Sequence, residues 1–181
     1  TAGLGVMHLA GEFAAHLYDS YVAFFTEEQR QGTYAIPERE YVIELFRIAG
    51  LLHDVGHGPL GHTLDDVYKK LGFVNVDHEV IGRAIIVGHL KDRIEGVKRS
   101  PNGSFERSID PQLVCDLIRP PSGHRFPEFW LNSFAQILRG TFDADKLDFV
   151  ARDAYFCGTK EYGTLDGDRL VKSSFVCEKG F

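Results

Sequence analysis

The sequence predicts a single all-α domain, and three observations carry that expectation. Apolar residues recur at helical spacing over long stretches, as at Leu9, Phe13, Leu17 and Val22. Strand-like alternation is confined to short pieces, with no internal repeat and no low-complexity tract. Proline, glycine and aspartate punctuate the apolar stretches where helices begin and end. A length of 181 residues suits one domain with a real core and is short for two.

The elements follow in order. The first helix spans Leu4 to Phe25 and is ended by the polar run Thr26 to Thr33. Pro37-Glu38 opens a second, which runs to Asp54 and breaks at Gly56, Gly58 and Pro59. Its stretch Val42 to Leu52 is apolar around most of the helix, which marks a buried element. A third starts at about Pro59 and stops at Gly72. Asp77 caps a fourth, from His78 to about Ile94. Residues 96–108 are polar and rich in glycine, proline and serine, the composition of a flexible surface loop. Asp110-Pro111 restarts a helix through Ile118, Pro127 to Arg139 forms another, and Asp143 to Tyr155 is the last strong one. A short helix at Asp166 to Lys172 completes the chain.

A net charge of −6 argues against nucleic acid as the main ligand, because phosphate-backbone binding needs a basic surface. Cys115, Cys157 and Cys177 are odd in number and far apart, as expected of reduced thiols in a cytoplasmic protein. No apolar run approaches a membrane span.

The densest chemistry lies in Leu-Leu-His-Asp-Val-Gly-His-Gly-Pro-Leu-Gly-His, residues 51–62. Three imidazoles (His53, His57 and His62) and the Asp54 carboxylate fall directly after a core helix. An ionised aspartate there needs a cation or a hydrogen-bond network to compensate its burial. Imidazole with carboxylate suits Zn, Mn, Fe or Ni, and Mg less well. His53 and Asp54, adjacent near a helix end, can converge on one ion. Gly56 and Gly58 let the backbone approach a ligand, and Pro59 launches a helix whose free N–H groups suit an anion. The second cluster is Asp143-Ala-Asp-Lys-Leu-Asp-Phe-Val-Ala-Arg-Asp153. On a helical wheel Asp145, Lys146, Phe149, Arg152 and Asp153 share a side, opposite Leu147, Val150, Ala151 and Ala154. Alone this reads as a solvated charged face. Beside a His-Asp site that lacks a further carboxylate, Asp145 is the natural complement. Lys146 and Arg152 then offer cations for phosphate, and Phe149 a flat surface for a sugar or base. His78, at a helix N-terminus, is disfavoured as imidazolium by the macrodipole and is available as a proton acceptor or hydrogen-bond donor. His8, His16, His89 and His124 have no acidic or imidazole neighbour at ligand spacing and are set aside.

These residues resemble the HD superfamily of metal-dependent phosphohydrolases, and more closely its deoxynucleoside triphosphate triphosphohydrolases. The likeness covers Leu4-Gly-Val-x-x-Leu-Ala-Gly11, Ile48-Ala-Gly-Leu-x-His-Asp-x-Gly-His-Gly-Pro-x-x-His62, His78-Glu79 and Asp143-x-Asp-Lys-x-Asp-Phe-x-Ala-Arg-Asp153. The resemblance implies that His53, Asp54 and Asp145 bind a divalent metal ion (Mn, Fe, Ni, Zn or Mg). It implies that the catalytic histidines His57, His62 and His78 line the phosphate and proton-transfer region. Lys146 then contacts phosphate and Asp153 a sugar hydroxyl. Phe149 stands where the close family usually has tyrosine, which removes a phenol that helps read the sugar edge, so strict deoxyribose selectivity is not expected. The family's first ligand histidine falls at Ala2, so that ligand is either missing or supplied from just before Thr1. The implied domain covers residues 1–181, without the terminal extensions of long family members, and the implied assembly is a homo-oligomer.

The reaction expected is hydrolysis of a (deoxy)nucleoside triphosphate to nucleoside and triphosphate. Two other functions fit the same residues: a nucleotide phosphomonoesterase or cyclic-nucleotide phosphodiesterase, and a nucleotide-binding regulatory domain with impaired catalysis. Products separate them: inorganic triphosphate, orthophosphate, a linear nucleotide, or binding without turnover.

Overall fold

The computed structural model describes residues 2–73, 75–159 and 166–177. Eleven helices and one two-stranded ribbon are present among them. The centre of the molecule is the crossing of α1 (Ala2–Phe24) with α3 (Arg39–Leu52). On α1, Val6, Ala10, Phe13, Leu17 and Tyr21 fall three or four residues apart and are buried as one stripe. On α3, Tyr41, Val42, Leu45, Phe46 and Ala49 answer it, each removed from solvent. Large side chains of this kind stabilise the fold by roughly 1.5–3 kcal/mol each when fully buried. Between the two helices lies the short α2 (Glu27–Arg30), closed by a Thr26/Gln29 capping box. The buried Tyr21 hydroxyl donates to the Tyr34 carbonyl at 2.9 Å.

Around this pair come α4 (His62–Lys70), α5 (His78–Gly88), α6 (Lys91–Glu95) and α7 (Pro111–Ile118). They are followed by α8 (Phe129–Phe134), α9 (Gln136–Arg139), α10 (Ala144–Cys157) and α11 (Gly167–Lys172). The expected caps are in place: Asp77, Asp110, Asp143 and Asp166 each accept a backbone N–H from their helix's first turn. α10 lies across α1, and Trp130, Phe134 and Ile137 of α8 and α9 close the core from below. No helix among the described residues is long and apolar enough to cross a membrane.

Several boundaries differ from the sequence expectation: α3 ends at Leu52 and not Asp54, α10 runs on to Cys157, and four larger differences follow. α4 begins at His62, not Pro59, because Gly61 enters with φ +54°, a backbone conformation outside the helical region. The N–H groups expected after Pro59 are therefore not a helix N-terminus. α5 stops at Gly88, and the chain turns at His89-Leu90 before α6. The helix expected over Pro127–Arg139 is two short ones meeting at Ala135, and it starts only at Phe129. There the Asn132 side chain takes up the Phe126 N–H and donates to the Phe126 and Glu128 carbonyls. Residues 96–108 are not a loose loop. β1 (Arg99–Ser100) pairs antiparallel with β2 (Gly103–Ser104), Ser100 donates to Glu40, and Phe105 is buried edge-on against Tyr41.

Candidate metal centre

α3 ends at Leu52, so His53 and Asp54 stand on the turn that follows it. The His53 ring lies with Nδ1 2.8 Å from the Gly50 carbonyl, which assigns Nδ1 as the donor and aims Nε2 away from the helix. Nε2 is buried and lies 3.3 Å from Asp54 Oδ2 and 3.3 Å from Asp145 Oδ1, yet it makes an aligned hydrogen bond with neither. Asp145 arrives from the first turn of α10, which the Asp143 cap starts and the packing on α1 positions. Two carboxylates some ninety residues apart in the chain thus face one imidazole nitrogen.

The three groups sit in a cleft of about 240 Å³, also lined by His62, His78, Glu79, Ile118, Leu138 and Asp143. His57 and His78 stack, ring centroids 3.8 Å apart at 10°, and His62 meets both edge-on. What holds this stack is a close approach of backbones. Gly56 lies against the His78 carbonyl and the Gly82 amide, so a Cβ at residue 56 would overlap both. The space left by Gly56 thus brings the turn onto α5, rather than onto a ligand as the sequence suggests. Asp65, which the sequence reading passed over, organises the other side. It accepts the His78 backbone N–H at 2.9 Å, its Oδ2 lies 2.6 Å from His78 Nδ1, and His62 Nδ1 is 3.6 Å away. Its position three residues after His62 puts it one turn along the same helix face, the one signal that could have pointed to it. Arg119 bridges Asp77 and Glu79 on either side of His78 and clamps the first turn of α5.

The remaining expected site residues lie on α10 outside the lining of this cleft. Lys146 donates from Nζ to Asp143 Oδ2 at 2.6 Å and to the Gly140 carbonyl at 3.0 Å, which keeps it at the rim. Phe149 and Asp153 are exposed. Arg152 departs from the wheel: it pairs with Asp148, whose carboxylate fills the space beside Gly5 of α1, while Ala151 is exposed. α10 therefore packs through Ala144, Leu147 and Ala154 together with this ion pair. The side chain of Ala2 lies outside the described residues.

The electrostatics follow from the geometry. Burial opposes charge on His53, but the Asp145 and Asp54 carboxylates and the Gly50 carbonyl outweigh it, and its pKa is pushed up to about 10. The His53 cation beside it holds the Asp54 carboxyl below its ordinary value, and His78 does the same for Asp65. His57 is held below the usual imidazole value, by burial first and by His78 and His62, with Asp54 opposing. A raised imidazole stabilises the metal-free protein fully below its unfolded value of about 6.5, and that contribution is lost as pH rises through about 10. An ion bound at Nε2 would displace this proton. Metal loading is therefore expected to release about one proton from His53 and to tighten about tenfold per unit between about pH 7 and pH 9. Calorimetry in buffers of different ionisation enthalpy measures that proton.

The residues fit a divalent cation on three counts: a buried imidazole nitrogen with no hydrogen-bond partner, a fixed tautomer, and two carboxylates aimed at it. Fold and site together define a helical domain with a histidine–carboxylate centre of metal-binding type. The chain belongs to the HD domain family, which it matches over residues 4–149. It is similar to the deoxynucleoside triphosphate triphosphohydrolase SAMHD1 of Gallus gallus, 28% identical over 191 residues that cover 98% of this chain and 29% of that protein. The uncharacterized protein YwfO of Bacillus subtilis is 31% identical over 129 residues, 71% of this chain and 25% of its own. Among solved structures, a hypothetical protein from Aquifex aeolicus matches with TM-score 0.64 and 26% identity, covering 99% of this chain and 38% of that one. The chain spans between 22% and 30% of the length of the curated relatives it matches.

Proposed function

We propose that this HD domain is a metal-dependent phosphohydrolase that cleaves (deoxy)nucleoside triphosphates to nucleoside and triphosphate. The observation that carries this reading is the convergence of Asp54 and Asp145 on His53 Nε2 in a cleft that also exposes His62 and His78. The similarity to SAMHD1 proteins along nearly the whole chain supports the choice of substrate class. His53, Asp54 and Asp145 would hold the ion, which supplies Lewis acidity and counter-charge at an α-phosphate oxygen.

The protein's own groups account for the rest. Water attacks the α-phosphorus, the bond from phosphorus to the 5′-oxygen breaks, and that oxygen takes a proton. His62, 80% exposed at the cleft mouth, orients or deprotonates the water. His78, with Asp65 on its Nδ1, and His57 stacked behind it, supply hydrogen bonds or a proton to the phosphate and leaving oxygens. Lys146 meets the outer phosphates by exchanging Asp143 for them, while Phe149 and Asp153, exposed on the same helix, would face the sugar and Arg152 stays paired with Asp148.

The test is turnover of a panel of dNTPs and NTPs with Mn²⁺, Fe²⁺, Ni²⁺, Zn²⁺ and Mg²⁺, read by product. Inorganic triphosphate with nucleoside is expected. Orthophosphate alone, or binding without turnover under every metal, would overturn the assignment. Within that assay His62→Ala is expected to lower kcat by about 10²–10⁴-fold with the fold intact, since the ring is largely in solvent.

A further inference from the structure

We propose that Arg119, at the end of α7, is a positioning residue that sets the His78 imidazole for its part in hydrolysis. The kinetic side of this inference rests on the hydrolase reading; its structural side does not. Nothing local marks Arg119 in the sequence, where it is only the residue before Pro120-Pro121. In the fold it follows the last residue of α7 with an extended backbone, φ −138° and ψ 95°, the conformation a following proline favours. Its N–H donates to the Cys115 carbonyl at 2.8 Å, and α7 packs on both α3 and α5. The side chain therefore springs from a fixed base. One guanidinium nitrogen, Nη1, reaches Asp77 Oδ2 at 2.7 Å and Glu79 Oε2 at 2.5 Å. These are the residues immediately before and after His78. Asp77 spends its other oxygen on the Val80 N–H, so the helix cap and the tie to α7 are made by one carboxylate.

His78 needs that tie because its remaining support is thin. Its Nδ1 lies 2.6 Å from Asp65 Oδ2, which leaves Nε2 for the cleft. Asp65 is carried by α4, and it is the one buried residue of that helix. Arg119 instead connects the first turn of α5 to the packed body of the domain. A small rotation of that turn would carry the ring away from the leaving oxygen. Arg119 is half-exposed, and ion pairs of that kind contribute little to folding. Its weight falls on the orientation of the ring and not on the stability of the chain. The same two helices supply a control: Arg83, more than a turn further along α5, pairs with Asp116 of α7 at 2.9 Å without flanking His78.

Arg119→Met is expected to lower kcat by about 10–100-fold, the usual effect of losing a partner that orients a site residue. KM, Mn²⁺ content and the melting temperature are expected to stay near wild type. Arg119→Lys, which keeps the charge on a compact, more strongly hydrated head, is expected to recover part of the loss. Arg83→Met, which removes the other ion pair between α5 and α7, is expected to turn over as wild type. Proton NMR of the full chain reads the same role without nucleotide. The short bond from His78 Nδ1 to Asp65 should give a far-downfield resonance, sharp in wild type and Arg83→Met and lost to solvent exchange in Arg119→Met. An equally sharp resonance in Arg119→Met, or a kcat that falls only in step with the folded fraction, would overturn the proposal. A wild-type protein that hydrolyses no nucleotide would overturn the hydrolase reading and leave the resonance to decide the role of Arg119.

Discussion

Replacing Asp145 by alanine is expected to strip the metal centre of its ion and to abolish hydrolysis, while leaving the fold standing. The carboxylate is one of the two facing His53 Nε2, so its loss leaves an imidazole and one carboxylate, too few to hold a labile divalent ion. Loss of an outer-shell partner alone typically costs about 10–100-fold in metal affinity, and a direct ligand costs more. The side chain is 51% exposed, and the helix cap belongs to Asp143, so the effect on stability is expected to stay within about 1 kcal/mol. Elemental analysis after dialysis against Mn²⁺, beside a urea melt, separates the two. An Asp145→Ala protein that retains the wild-type metal content would exclude Asp145 from the centre.

Gly56→Ala is expected to have the largest effect on stability. The added Cβ would overlap the His78 carbonyl and the Gly82 amide, both backbone atoms that cannot rotate away. Overpacking of this kind costs about 1–3 kcal/mol, and two backbone neighbours place this site at or above the top of that range. For a chain of this size that lowers Tm by roughly 6–12 °C. The His57–His78 stack is held across the same contact, so turnover should fall beyond what the lost stability explains. A Gly56→Ala protein melting with the wild type would show that the turn and α5 are not in contact in solution.

The helical class was legible in the sequence because the apolar stripes of α1 and α3 are long and regular, and a stripe that long has one reading. The grouping of His53, Asp54 and Asp145 was legible for a different reason: a His-Asp pair at the end of a buried helix lacked a second carboxylate, and Asp145 sits in a helix of matching charge, although Asp54 itself stands half exposed. Asp65 was missed because nothing local distinguishes it from Asp66. Its role depends on a loop return that places His78 against it thirteen residues later. Arg152 looked free for the same reason, since its partner Asp148 is fixed by a glycine on α1 more than a hundred residues away. Helix ends set by side-chain traps, such as Asn132 holding the turn before α8, leave no periodic trace.

The layered exposure of the metal centre has a kinetic meaning. His53 forms the floor, 14% exposed, while Asp54 and Asp145 stand at the rim, each about half in water. An ion held by these three groups would meet the two carboxylates before the imidazole, and its exchange is expected not to require the helices to separate.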